Sequence, residues 1–436
     1  MSVMLKRKLL ALAITVAAAQ QVSAGSLAEV VAEAVIAHPE VKAALYAKQA
    51  AEQEIAQAKG GYLPSVDIAA GIGYEWTRNP TTDSRGDGDA DTTRREAALS
   101  IRQMLFDGSR TKSEVARFTA KTNALNYRVK EVAEEKALEI ARAYLEVLKR
   151  EELYKQANES YYSHVKVFDQ IRRRSESGLG ARSAVDQAQG RLALSEVNLL
   201  AAENNLQDAK ATYLKVAGSM PPTSPEAPEN ISGLPGSSEE AVKIALDNHP
   251  TLRVAQRDIE EAQAQYRAAK SAMLPTVTFE VDRTWNHDID GVDGHNEDLT
   301  AMVRMRYNLF NGGSDKARIQ QTLQEIDQAV EIQSNAHRQT VEAVELSWNA
   351  YEILGKQLPF LEQHVESSAA TRTSYEKQFN IGQRSLLDLL DTENEVFAAK
   401  NAFISGKYDY LIAQYRLLNG MGEILDVMGV KIADSM

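Results

Sequence analysis

The chain states nearly the same pattern twice, about 200 residues apart, and that duplication limits what it can fold into. His38-Pro39 opens a helical run that closes at Leu63-Pro64, and His249-Pro250 opens another that closes at Leu274-Pro275, a shift of 211 at every position. Leu105-Phe106-Asp107-Gly108 returns as Leu309-Phe310-Asn311-Gly312, a shift of 204. Gly180, Arg182, Ser183 and Asp186 return as Gly382, Arg384, Ser385 and Asp388, a shift of 202. Drift of this size is what loops of different length produce in two copies of one unit. The period is far too long for a solenoid repeat, so the pattern predicts a pseudo-symmetric protomer.

The N-terminus reads as an export leader. Lys6, Arg7 and Lys8 precede the apolar run Leu9 to Ala19, and Val22-Ser23-Ala24 fits a small-residue cleavage site, giving a signal peptide over 1–24. The apolar run is too short for a membrane anchor, which needs about 20 residues. With no cysteine in the chain, disulfides, thiolate metal sites and a lipidated N-terminus are excluded. Three positive charges leave with the leader, which takes the net charge from −12 to −15 and argues against nucleic acid as a partner.

Each copy reads helix, two strands, long helix, helix. The first copy spans 25–217, with a hairpin over 65–106 and helices over 109–177 and 183–217. The second spans 238–420, with a hairpin over 276–310 and helices over 313–380 and 385–419. A linker over 218–237 carries five of the eleven prolines, and a tail occupies 421–436. In the hairpins the apolar period switches to 2. Val66, Ile68, Ala70, Ile72, Tyr74 and Trp76 alternate with polar or small residues, and so do Leu299, Ala301, Val303, Met305 and Tyr307. Four such segments of about ten residues match either transmembrane β-strands or two half-buried soluble hairpins; the leader and the long loops favour the former. The long helices, close to 70 residues each, would extend about 100 Å and must pack as a coiled-coil-like array. Pro359 is expected to kink or break the second of them.

Four strands cannot close a barrel, and an open sheet edge is not tolerated in lipid. The chain must therefore pool strands with copies of itself. Two copies give eight strands and three give twelve, and strand counting does not choose between them.

The doubled layout, the His-Pro and Leu-Pro landmarks, the Leu-Phe-Asp-Gly and Leu-Phe-Asn-Gly exits and the segment Phe379-Asn380-Ile381-Gly382-Gln383-Arg384-Ser385-Leu386-Leu387-Asp388-Leu389-Leu390-Asp391 resemble the TolC family of outer-membrane efflux proteins. The resemblance implies a homotrimer with a twelve-stranded transmembrane β-barrel continuing into a long periplasmic α-helical barrel. Implied partners are a periplasmic adaptor, an inner-membrane transporter (ABC type favoured) and outer-membrane lipid, with no cofactor. The implied function is an export duct, for type I protein secretion of a large adhesin or toxin or, alternatively, for small-molecule efflux. A periplasmic coiled-coil adaptor without a barrel is the reading from another class.

Asp388 and Asp391 lie three apart and share a helix face. The resemblance puts them at the periplasmic constriction, where a trimer would stack two acidic rings that attract cations. Copy one departs here: Asp186 matches Asp388, but Gln189 stands where copy two has Asp391. Arg384 and Asp186 are the implied latch between neighbouring hairpins. The turns with Gly180, Arg182, Ser183, Gly382 and Ser385 form the hairpin tips that an adaptor would touch. The loops between strands are acidic, with Asp83, Asp87, Asp89 and Asp91 in the first, but Asp87-Gly88-Asp89-Ala90-Asp91 lacks the spacing of a calcium-binding hand. No nucleophile–base pair or phosphate-cradling loop stands out, so no enzymatic activity is expected.

Overall fold

The computed structural model describes residues 26–86, 88–178 and 180–432. The expected leader, Asp87 and the end of the tail lie outside them. Each opening helix is two helices, α1 (Leu27–Ala37) and α2 (Pro39–Gly60) in copy one, α6 (Ser238–Asn248) and α7 (Pro250–Lys270) in copy two. The break falls at the His-Pro pairs because a residue before proline is driven out of the helical region. His38 sits at φ −62°, ψ 130° and His249 at φ −61°, ψ 125°. Their Nδ1 atoms accept from the Glu40 and Thr251 amides at 3.2 and 3.3 Å, so both histidines are N-caps. Burial lowers the pKa of His249 and keeps that ring neutral, as an accepting Nδ1 requires.

The strands β1 (Ser65–Thr77), β2 (Ala90–Phe106), β3 (Thr276–Ile289) and β4 (Val292–Arg306) form one antiparallel sheet in the order β1-β2-β3-β4. A short helix, α3 (Pro80–Arg85), occupies the first hairpin loop. The second hairpin is tighter than its polar residues predict, because Asp290 (φ 56°) and Gly291 (φ 71°) make a two-residue turn that needs two left-handed positions. Register aligns the apolar side chains on one face, with Val66 opposite Ile101, Ile101 opposite Val281 and Val281 opposite Ala301. This face is bare: Ile68 is 81 % exposed and Val303 64 %. The other face carries Asp67, Glu96, Arg102, Glu280, Asp282 and Arg304. Strand β4 ends at Arg306 rather than at 310, because its partner β3 begins opposite that residue.

The long helices α4 (Arg110–Glu176) and α8 (Ser314–Asn380) each run 67 residues, about 100 Å. Along its first half α4 packs beside α2 and α7, marked by Lys121–Glu54 at 2.7 Å and Arg117–Glu261 at 3.4 Å. Further on it packs beside α5 (Arg182–Ala217) and α9 (Leu386–Met421), where Lys149–Asp409 closes to 2.9 Å. The break expected at Pro359 does not occur, for α8 is continuous through it. Gly355, the residue whose carbonyl a proline ring crowds, carries no side chain, and a Cβ there would lie 3.0 Å from Tyr410. Across from it Gly406 lets α9 approach Leu361. Among the described residues no helix is long and apolar enough to cross a membrane.

The main core gathers where α1, α4, α9 and the short α10 (Ile424–Val427) meet, around Val31, Ile140, Tyr144, Leu417, Met421 and Ile424. The proline-rich segment 218–237 is strapped onto it. Buried Gln414 accepts from the Ile231 amide at 2.7 Å and donates to Asn230 at 3.0 Å, while the Tyr144 hydroxyl donates to the Glu226 carbonyl at 2.9 Å. The Glu134 carboxyl, buried on α4, accepts from the Ile424 and Leu425 amides at 3.2 and 3.3 Å and so anchors α10.

Burial, aided by Asp426 and Glu423, pushes the Glu134 pKa up from 4.5 to about 8 against the pull of those two amides. A carboxyl raised in the folded state favours folding below its ordinary pKa, and that contribution is lost as pH rises through the raised value. Protection of the tail from limited proteolysis should therefore weaken between pH 5.5 and 8.5 in the wild-type chain and stay flat in Glu134→Gln. Glu134→Ala should cost about 1–3 kcal/mol at pH 5.5 by orphaning two amides, and less at pH 8.5. Equal pH profiles for wild type and Glu134→Gln would rule out the carboxyl as the tail's anchor.

Candidate pore constriction

The far ends of the two helical hairpins, α4–α5 and α8–α9, pack side by side. Val167 and Ile171 of α4, Ala188 of α5, Phe379 of α8 and Leu386, Leu389 and Leu390 of α9 form a second small core there. The alternation around Leu386, Leu389 and Leu390 turns Asp388 and Asp391 away from that core. Gly382 (φ +77°) makes the turn of the second hairpin in the left-handed region. Ser385 then caps α9 reciprocally: its Oγ accepts from the Asp388 amide at 3.2 Å, and Asp388 Oδ2 accepts from the Ser385 hydroxyl and amide at 2.9 and 3.2 Å. The first hairpin has no such cap, since Ala181 stands at the N-cap of α5 and Arg182 and Ser183 begin the helix. The Ser385 hydrogen bonds, hydroxyl first, hold the Asp388 pKa below the ordinary carboxylate value of 3.8. Asp388 is therefore both the helix cap and a fixed negative charge.

Within one chain Arg384 does not meet Asp186. Its guanidinium donates to Gln378 Oε1 at 3.0 Å, lies 4.2 Å from the centre of the Tyr375 ring and stands 3.9 Å from Asp388. The cation that binds the predicted ring is Arg191 of α5, whose Nη2 lies 3.0 Å from Asp391 Oδ1. This bond ties the first hairpin to the second, and sequence reasoning missed it. The signal was present in the broken echo: the shift of 202 that sets Gln189 against Asp391 sets Arg191 against Glu393, a reversal of charge.

Glu393 belongs to the same network. Its carboxylate, 11 % exposed, takes Arg372 Nε of α8 at 2.6 Å. His164 of α4, 4 % exposed, faces the Ser160 carbonyl at 3.1 Å through Nδ1. Burial lowers its pKa, with nearby Glu393 opposing and Arg191 reinforcing the shift. Charges from α5, α8 and α9 thus alternate just behind the acidic pair, with the neutral His164 ring of α4 beside them. Such an arrangement can hold two hairpins in one relative position and present a fixed negative surface; nothing in it supplies a nucleophile or a proton relay.

A family model described as "Outer membrane efflux protein" matches residues 30–219 and 241–423, one segment in each copy. The outer membrane efflux protein BepC of Brucella suis biovar 1 is 25 % identical over 387 residues, covering 88 % of this chain and 82 % of that protein. The alkaline protease secretion protein AprF of Pseudomonas aeruginosa is 22 % identical over 388 residues, covering 87 % and 80 %. A crystal structure of a Pseudomonas aeruginosa membrane protein superposes with a TM-score of 0.80 at 18 % identity, covering 91 % of this chain and 93 % of that one. The matched segments include all four strands, both long helices and the paired tips, which sets aside an adaptor without a barrel. The chain belongs to the outer membrane efflux protein family, the TolC-like trimeric channels that cross the outer membrane as a β-barrel, reach into the periplasm as a helical barrel, and work with a periplasmic adaptor and an inner-membrane transporter.

Proposed function

We propose that this channel is the exit duct of a type I protein-secretion machine, paired with an ABC-type transporter and carrying a large adhesin or toxin. The observation that carries the cargo assignment is the likeness to an alkaline protease secretion protein over 87 % of the chain. The alternative, a small-molecule efflux pump, is supported by the likeness to BepC. Deletion of the chain decides between them. Loss of one large secreted protein with unchanged drug tolerance is expected, whereas drug sensitivity with an intact secretome would give the duct to the pump.

In the same reading the paired tips are the periplasmic entrance. Three copies of Asp388 and Asp391 make two stacked rings of carboxylates, Arg191 holds the second hairpin against the first, and Arg384 reaches Asp186 of the partner subunit. The turns at Gly180 and Gly382 face the adaptor, and the apolar sheet face meets outer-membrane lipid. Replacing Asp388 and Asp391 by alanine should abolish cation preference and block by multivalent cations in planar bilayers. In the wild type, preference should fade as acidification protonates the ring, and the Ser385 hydrogen bonds that depress the Asp388 pKa move that loss to lower pH. Unchanged selectivity in the double variant would exclude the pair as the ring.

An exposed ion pair contributes about 0–1 kcal/mol, so one link is a weak latch. Three copies of Arg191–Asp391 acting together reach up to about 3 kcal/mol, which is about a hundredfold in the ratio of open to closed channels. Arg191→Ser should therefore raise single-channel open probability, and Arg384→Ser should add to it. An Arg191→Ser channel that opens no more often than wild type would leave the ion pair without a gating role.

A further inference from the structure

The duplication extends from sequence to atomic contacts. Ser65 of β1 lies opposite Arg102 of β2, and shifting these by 211 and 204 gives Thr276 and Arg306, which lie opposite each other in the second hairpin. Glu54 of α2 meets Lys121 of α4 at 2.7 Å, and the same shifts give Gln265 and Glu325, which meet at 2.8 Å. In the sheet and the helices that adjoin it the two copies therefore correspond residue by residue. The seam between them, β2 against β3, becomes a template for the seam between one protomer and the next, β4 against β1.

We infer that β4 pairs antiparallel with β1 of the next copy in the register that places Val303 opposite the partner's Ile72. The template pair is Leu99 opposite Arg283. The same shift puts Leu299 opposite the partner's Trp76, Ala301 opposite the partner's Tyr74, Met305 opposite the partner's Ala70 and Tyr307 opposite the partner's Ile68. It rests on the trimeric assembly of the family and is independent of the cargo.

Side-chain chemistry, which did not enter the shift, supports the same register. On the outer face it joins the apolar run of β4 to that of β1 with no mismatch. Sliding by two residues one way sets Glu297 against the partner's Trp76; sliding the other way sets Leu299 against the partner's Arg78. On the inner face the long side chains of Met302, Arg304 and Arg306 fall opposite the partner's Gly73, Gly71 and Ala69, all small; a Cβ at Gly73 would meet nothing within 4 Å, while Gly71 makes room for Glu96 of its own sheet. Glycine inside a strand marks such close approach. The register also gives the exposed Tyr307, just beyond the end of β4, a strand to pair with.

The chain has no cysteine, so engineered pairs report without background. Directly opposite residues have Cβ atoms about 4.5–5.5 Å apart and diagonal ones about 7–8 Å, while a disulfide needs about 3.5–4.5 Å. Mild oxidation of outer membranes carrying Val303→Cys with Ile72→Cys should give covalent dimers and trimers on non-reducing gels, as should Met305→Cys with Ala70→Cys. Val303→Cys with Ala70→Cys, or with Tyr74→Cys, should cross-link several-fold less. A slipped pair that cross-links as well as the aligned ones would overturn the register. So would aligned variants that assemble as heat-modifiable trimers yet stay uncoupled. A variant that fails to reach the membrane is replaced by the second aligned pair, which samples the same register.

Discussion

Unpaired backbone groups on the two outer strands are the constraint on which the rest of this protein depends. In the four-stranded sheet β2 and β3 are satisfied on both sides, while β1 and β4 each leave a row of amides and carbonyls open. Water would satisfy those groups on a soluble protein, but lipid cannot, and each costs several kcal/mol if left bare in a membrane. The family crosses the outer membrane as a β-barrel, so the open edges must find each other on further copies. Assembly with further copies, three in this family, is then a condition of the strands existing in the membrane at all.

The helices inherit that arrangement. Each strand pair feeds into one 67-residue helix, and a helix about 100 Å long has no compact core to bury it. Burial instead comes from neighbours placed side by side by the sheet above. The largest apolar core is therefore at mid-height, where α1, the proline-rich strap and α10 wrap the long helices, and not in the barrel wall. Buried polar groups there are matched by backbone: Gln414 holds the strap and Glu134 holds α10. These contacts fix the middle of α4 and the upper end of α9, far from the tips. The tips are joined by a core much smaller than the main one and by ion pairs, of which the half-exposed Arg191–Asp391 is individually weak. The larger core therefore holds the helices at mid-height, and the tips are the less firmly held part.

Much of this was readable from residues alone, for identifiable reasons. The hairpins showed themselves by period-2 alternation and the long helices by absence of breakers. The extra helices α1 and α6 were missed because the His-Pro pairs were read as starts and not also as ends. Pro359 misled because a proline's cost depends on what its carbonyl neighbour can tolerate, and Gly355 and Gly406 are distant clues in sequence that meet only in the packed pair α8–α9. Asp388 was found as an acidic residue on a helix face, but its second role as the cap of α9 needed the Ser385 geometry. Arg191 was overlooked because ion pairing joins residues 200 positions apart.

The sequence by itself determined the number of copies of the unit, the kind of each element, the apolar face of each strand and the impossibility of a closed barrel from one chain. Periodicity and duplication are local or self-referential, so they need no knowledge of what packs where. Only the tertiary structure decided which cation meets which carboxylate at the tips, that α8 passes straight through its proline, and that the two hairpins share one register. Those outcomes depend on distances between segments far apart in the chain, set by packing and not by any pattern along it.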